Sequence, residues 1–121
     1  MGGSQSSENA GKTKLNSKTK QWLESEIRTH QIVVFVKPNC PFCARVKKLF
    51  GDLSAPIHII DITKREDMKQ IQDCLQEATG TRTVPKVFIA GQSIGGCDET
   101  LKMHDLGKMK PRLVELHVIN P

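Results

Sequence analysis

The chain has 121 residues, 37% of them hydrophobic and 26% charged, a composition that allows one globular domain and excludes a fibrous or wholly disordered chain. Its longest unbroken apolar run, Ile32 to Val36, is far below the ~20 residues of a membrane-spanning helix, and no apolar h-region opens it, so neither secretion nor membrane insertion is expected. The net charge of +5 comes from 18 Lys and Arg against 13 Asp and Glu; Lys12, Lys14, Lys18 and Lys20 face Glu8 alone near the start, which leaves the remainder mildly basic, without the basic stripe and exposed aromatics of a nucleic-acid reader.

Residues 1–17 are rich in Gly, Ser, Asn and Lys and nearly free of apolar side chains, so they are expected to form a flexible tail ahead of a single domain at 18–121. Leu23 and Ile27, one turn apart beside Trp22, predict an amphipathic helix near 18–30. The β-branched run Ile32 to Val36, ended by Pro38, predicts a buried strand. Pro41 suits the first turn of a helix that carries Phe42, Val46, Leu49 and Phe50 on one face and is stopped by Gly51. Ile57 to Ile62 predicts a second strand, and Thr63 with Glu66 reads as a capping box for a helix holding Met68, Ile71, Leu75 and Ala78, closed by Gly80. Val87 to Ala90 and Ser93 to Ile94, joined through Gly91 and Gln92, predict a hairpin. Asp98 is placed as the cap of a helix holding Leu101, and Pro111 as the start of a last helix holding Leu113, Leu116 and Ile119. The aromatics Trp22, Phe35, Phe42, Phe50 and Phe88 mostly sit at apolar-periodic positions, which suggests core. The order is α-β-α-β-α-β-β-α-α. A strand-helix-strand unit forces a parallel pair with a right-handed crossover and the hairpin adds an antiparallel part, so the expectation is an α/β fold with a mixed sheet and helices packed on it.

The sharpest chemical signal is Lys37-Pro38-Asn39-Cys40-Pro41-Phe42-Cys43, two cysteines at C-x-x-C spacing where a strand meets a helix. Unsatisfied N–H groups and the dipole at a helix start favour an anion, so the Cys40 thiolate is expected to be stabilised and its pKa to fall below the free value of ~8.5, with Lys37 adding a nearby positive charge. Cys43, one turn along, is near enough to resolve a mixed disulfide on Cys40. Half of a zinc site is the structural alternative, but it needs two further ligands. Cys74 and Cys97 stand apart, and His30, His58, His104 and His117 show no close ligand spacing, so no metal site is expected. Cys74, beside the apolar stripe of its helix, reads as buried and inert. A C-x-x-C in a non-secreted βαβ setting means a thioredoxin-like redox motif in a reducing compartment.

Four separated pieces then carry a family resemblance: Lys37 with Cys-Pro-Phe-Cys at 40–43, Ile71-Gln72-Asp73, Thr83-Val84-Pro85 after Gly80, and Gly95-Gly96-Cys97-Asp98. Over about residues 18–120 the chain resembles a dithiol glutaredoxin, whereas a thioredoxin would typically carry Gly-Pro between the cysteines and a Trp where Asn39 stands. The resemblance implies a thioredoxin fold with a central four-stranded mixed sheet and a glutathione groove beside Cys40. It implies that Pro85 is cis and brings Val84 against the ligand backbone, with Thr83 in the same segment. It also implies that Gly96, the Cys97 N–H and the helix start at Asp98 receive the γ-glutamyl end, while Lys37, Gln72 and Arg82 hold the glycyl carboxylate. Phe42 stands where the family most often has Tyr, so a hydroxyl contact is lost and the apolar ring is kept.

By the same resemblance the activity is glutathione-dependent thiol-disulfide exchange, with Cys40 as nucleophile and Cys43 as resolving thiol. Glutathione is the co-substrate, glutathionylated or disulfide-bonded proteins are the partners, and no tightly bound cofactor is required. A monomeric, cytoplasmic enzyme is expected. Cys97, a third thiol near the site, is either silent or open to intermolecular disulfides. The rival from another class is an iron-sulfur scaffold, two chains and two glutathiones holding a cluster through the first cysteine of each; Pro41 speaks against it. Met1-Gly2-Gly3-Ser4-Gln5-Ser6 also fits the M-G-x-x-x-[ST] pattern for N-myristoylation at Gly2, with the nearby lysines as a second signal for peripheral membrane contact.

Overall fold

The computed structural model describes the backbone from Ala10 to Pro121 and side chains from Lys18 onward; the Gly2 acylation motif lies outside the described residues. The elements are α1 (Ala10–Thr29), β1 (Ile32–Val36), α2 (Pro41–Asp52), β2 (His58–Asp61), a 3-10 turn (Ile62–Lys64), α3 (Met68–Thr79), β3 (Lys86–Ile89), β4 (Gln92–Gly95), α4 (Cys97–Asp105) and α5 (Met109–Glu115). The four strands form one mixed sheet in the order β2-β1-β3-β4. β1 is parallel to β2 and antiparallel to β3, which pairs antiparallel with β4.

All five residues of β1 are buried, because a strand at the centre of a sheet covered on both faces has no polar side to show. Val33 and Phe35 pack with Ile60 and Phe88 against Leu23, Ile71 and Leu75 of α1 and α3. On the other face Ile32, Val34 and Val36 join Val87 and Ile89 beneath Val46, Leu49 and Phe50 of α2, with Met109 and Leu113 of α5 closing the layer. Phe35 and Phe88 meet edge to face, centroids 5.8 Å apart. No helix among the described residues is long and apolar enough to cross a membrane.

Several boundaries differ from expectation for identifiable reasons. α1 starts at Ala10 rather than near 18, since extending an existing helix is far less costly than nucleating one. α2 runs through Gly51 to Asp52; a single helical Gly costs ~1 kcal/mol and does not by itself end a helix, and the chain turns at Ser54, where φ is 55°. The Thr63–Glu66 capping box does not form. Asp61 instead accepts both the Thr63 N–H at 2.9 Å and its hydroxyl at 2.6 Å, which winds the 3-10 turn and delays α3 until Met68. Its N-cap, Asp67, makes no side-chain cap bond, because that carboxylate is taken by Arg65 Nε at 2.9 Å and Thr19 Oγ1 at 2.8 Å. The Arg65 guanidinium also lies over the Trp22 ring, 3.6 Å from its centroid, so Trp22 is half-buried, packed against the core and covered by a cation.

The hairpin turns on Ala90 and Gly91, with φ of 51° and 82°, the two-residue geometry that matches strand twist. Asp98 does not cap α4; Gly96 is its N-cap, and Glu99 Oε1 accepts the Gly96 N–H at 2.7 Å. α5 opens at Met109, two residues before Pro111, whose missing N–H falls in a first turn that needs none. Leu116 and Ile119 lie beyond its last turn yet still pack on the core.

Candidate active site

β1 delivers the chain to Lys37-Pro38-Asn39, and Asn39 takes a left-handed φ of 57°, a conformation Asn tolerates better than most residues. The turn sets Cys40 as the N-cap of α2 in extended conformation, with Pro41 in the first turn. Cys40 Sγ accepts the Cys43 backbone N–H at 3.2 Å. The sulfur thus occupies the place a capping oxygen usually takes, among N–H groups that favour negative charge. Cys40 is half-buried, while Cys43 is 1% exposed. Burial, reinforced by the hydrogen bond to Cys40, pushes the Cys43 thiol up to about 11. Burial also raises Cys74 and Cys97. Brief alkylation of the reduced chain at pH 7 is therefore expected to modify Cys40 and to spare the other three, because thiolate fraction and access both set the rate; peptide mass mapping reads this out, and equal labelling of Cys43 would contradict the division of roles.

The opposite wall comes from the loop before β3 and the β4–α4 junction. The Val84–Pro85 peptide bond is cis, as the family resemblance implied. Gly95 has φ of 114°, and a Cβ there would lie 2.8 Å from Glu99 Oε1; only glycine fits this corner. A Cβ on Gly96 would meet Pro85 O at 3.3 Å, so the two loops touch.

Two neighbouring clefts result. One, of about 360 Å³, is lined by Phe42, Thr83, Val84, Pro85, Gly96, Cys97, Asp98 and Glu99. The other, of about 370 Å³, is lined by Lys37, Cys40 and Cys43 with Pro38, Asn39, Pro41, Ala44 and Lys47. Phe42 is 53% exposed and so belongs to the cleft wall, not to the core where its periodicity put it. Gln72 and Arg82 line neither cleft: Gln72 is half-buried on α3, and Arg82 Nη1 donates to Asp73 Oδ1 at 2.6 Å and Gln76 Oε1 at 3.2 Å. A larger depression of about 880 Å³ between α1, α3 and the hairpin is lined by Lys20, Glu77 and Cys74 among others, but its one thiol is buried.

Three features escaped the sequence reading. Glu99 is the residue that ties down the glycine corner; its signal is the spacing of Gly96 and Glu99, a capping box without a side chain at the cap. Lys86, 3% exposed, donates from Nζ to Thr81 Oγ1 at 2.6 Å, Thr83 O at 2.7 Å and Thr83 Oγ1 at 3.2 Å, and so holds the Thr83-Val84-Pro85 loop from beneath; burial pulls its pKa down. The histidines, which show no ligand spacing along the chain, are not all apart in space: His30 and His58 stack with ring centroids 3.6 Å apart.

A capping cysteine with a buried partner one turn on, set against a cis-proline loop on this mixed sheet, defines a thiol-disulfide oxidoreductase of thioredoxin fold. Comparison narrows the class. The family model described as glutaredoxin matches residues 32–94. Glutaredoxin-C6 of Oryza sativa subsp. japonica is 49% identical over 88 residues, covering 73% of this chain and 79% of its own length. Glutaredoxin-1 of Oryctolagus cuniculus is 38% identical over 99 residues, covering 79% and 93%. Among solved structures, the buckwheat glutaredoxin-glutathione complex superposes with a TM-score of 0.83 at 40% identity, covering 86% of this chain and 94% of that one. The chain belongs to the glutaredoxin family, and is accordingly a glutathione-dependent oxidoreductase.

Proposed function

We propose that the enzyme reduces protein-glutathione mixed disulfides by a route that uses Cys40 alone, and protein disulfides by a route that also needs Cys43. In the first, the Cys40 thiolate attacks the glutathione sulfur of the mixed disulfide. A Cys40-glutathione disulfide forms, and the protein leaves as its thiolate. A second glutathione thiolate then attacks the glutathione sulfur on Cys40, releasing oxidised glutathione and restoring the Cys40 thiolate. In the second route the Cys40 thiolate attacks one sulfur of the protein disulfide, expelling the other as a thiolate and leaving a Cys40-protein mixed disulfide. Cys43 gives up its proton to solvent and attacks Cys40 Sγ, expelling the second protein thiolate, and two glutathiones reduce the resulting Cys40-Cys43 disulfide, leaving as oxidised glutathione.

The observation that carries this proposal is the 3.2 Å bond from the Cys43 N–H to Cys40 Sγ beside the cleft of Val84, Pro85 and Asp98. The support for a glutathione occupant is chemical. An extended ligand backbone can pair with Val84, the start of α4 suits its γ-glutamyl carboxylate, and Lys37, on the Cys40 side, suits the glycyl carboxylate. Thr83, Pro85, Gly96 and Cys97 shape the groove, Phe42 supplies an apolar face, and Asp98 attracts the ligand ammonium. Gln72 and Arg82 remain candidates for the glycyl end, Arg82 after leaving Asp73. A buckwheat relative forms a glutathione complex. The proposal includes a cytoplasmic setting, where glutathione is kept reduced, and a monomer acting on protein partners.

Cys43→Ser separates the routes, because the substitution removes the resolving thiol and keeps the backbone N–H that the Cys40 sulfur accepts. Turnover of a glutathionylated peptide is expected to stay within about threefold of wild type, while reduction of a protein disulfide falls to background. Loss of both activities would overturn the one-cysteine route.

A further inference from the structure

Glu26, in the last turn of α1, and His30, the residue just after it, are four apart and still joined by a helical bond, so they lie on one face at the C-terminal end of the helix. β2 brings His58 to the same place, through its register with Val33 of β1. Glu26 Oε1 accepts from His58 Nε2 at 2.8 Å, and the His58 ring stacks on His30 at an interplanar angle of 9°. One ligand atom from each residue lies within 4.8 Å of the other two, and all three residues are half-buried. From this juxtaposition we propose a divalent transition-metal site of Glu26, His30 and His58, suited to zinc.

Two imidazoles and a carboxylate are a zinc donor set that leaves one position for water. Tetrahedral zinc at ~2.0–2.1 Å from each ligand would hold the donor atoms about 3.3 Å apart. That span lies between the 2.8 Å of the Glu26–His58 pair and the 4.8 Å limit of the group, so the donor separations suit one ion once a histidine ring turns out of the stack and points its nitrogen lone pair at it. The frame is already rigid: His30 N–H still donates to Glu26 O at 3.3 Å, and the strand that carries His58 is paired with β1. The carbonyl end of α1 adds a field that favours a cation. The site and Cys40 stand at opposite ends of β1, so metal here neither needs nor blocks the Cys40-Cys43 pair.

The test is cobalt titration, followed by zinc displacement, of the full chain carrying Cys40→Ser and Cys43→Ser, which takes the reactive dithiol out of competition. One cobalt per chain is expected, with visible d–d absorption and no thiolate-to-cobalt charge-transfer band, bleached by one equivalent of zinc. His58→Ala or His30→Gln should weaken binding at least about tenfold, and Glu26→Gln should weaken it while keeping the two rings; far-UV circular dichroism confirms that each variant is folded. His30→Gln, at the end of a helix, keeps the test decisive if the strand substitution unfolds the chain. Absence of cobalt absorption, a thiolate charge-transfer band, or undiminished binding in folded His30→Gln or His58→Ala would each overturn the site.

Discussion

Cys40→Ser is expected to reduce glutathione-dependent turnover of glutathionylated and of disulfide substrates alike, by about 10³-fold or more. Each proposed route begins at that sulfur, and a serine hydroxyl in the same capping position remains protonated near neutral pH. The fold should be unaffected, since serine is itself a favoured N-cap and can accept the Cys43 N–H in place of sulfur. Steady-state kinetics on both substrates, with thermal melts of both proteins, checks the expectation. Residual activity above a few per cent with an unchanged melt would place the nucleophile elsewhere, and Cys97, on the wall of the neighbouring cleft, would be the thiol to replace next.

Phe50→Ala should give the largest stability loss of any single truncation on the active-site helix. The ring is fully buried beneath α2, in the layer with Val34, Val46, Val87 and Leu113. Removing a buried aromatic side chain costs ~3–5 kcal/mol, a large share of the ~5–15 kcal/mol that holds a domain of this size together. Urea unfolding followed by circular dichroism should show a midpoint shift of that scale, with specific activity retained where the variant is still folded. A loss below about 1 kcal/mol would mean that α2 settles into the gap.

Much of this was legible along the chain, because its strongest signals are local. The β-branched run of β1, Pro41 after Cys40, and Gly80 at a left-handed helix end with φ of 91° each act through their own backbone. So did the C-x-x-C spacing, which fixes both sulfurs once the helix forms. What escaped was decided at a distance. Periodicity assigned Phe42 to the core, but in the first turn of α2 it is Cys43 that points inward, and Phe42 faces the cleft. The Thr63–Glu66 box lost to Asp61, which sits closer to the same N–H, and Asp67 was drawn away by Arg65 and Thr19. Lys86 lies in an apolar strand pattern as a lone cation, and only the fold shows that its ammonium ends on loop oxygens. The pairing of His30 with His58 depends on the register of β2, which no pattern within either segment announces.

The placement of β1 has a consequence for how the enzyme fails. Its residues are buried throughout and bonded on both sides, whereas β4 at the sheet edge shows Gln92 and Ser93 to solvent. Local opening follows the least protected contacts first, so partial unfolding is expected to begin at the sheet edges, the hairpin and glycine corner among them, and to reach the central strand before Cys40 last. A thermally stressed molecule is therefore expected to pass through a stage in which Cys40 is still held at the start of α2 but the proposed glutathione wall has come loose. Discrimination between substrates, rather than turnover, is the earlier casualty and the more sensitive gauge of damage.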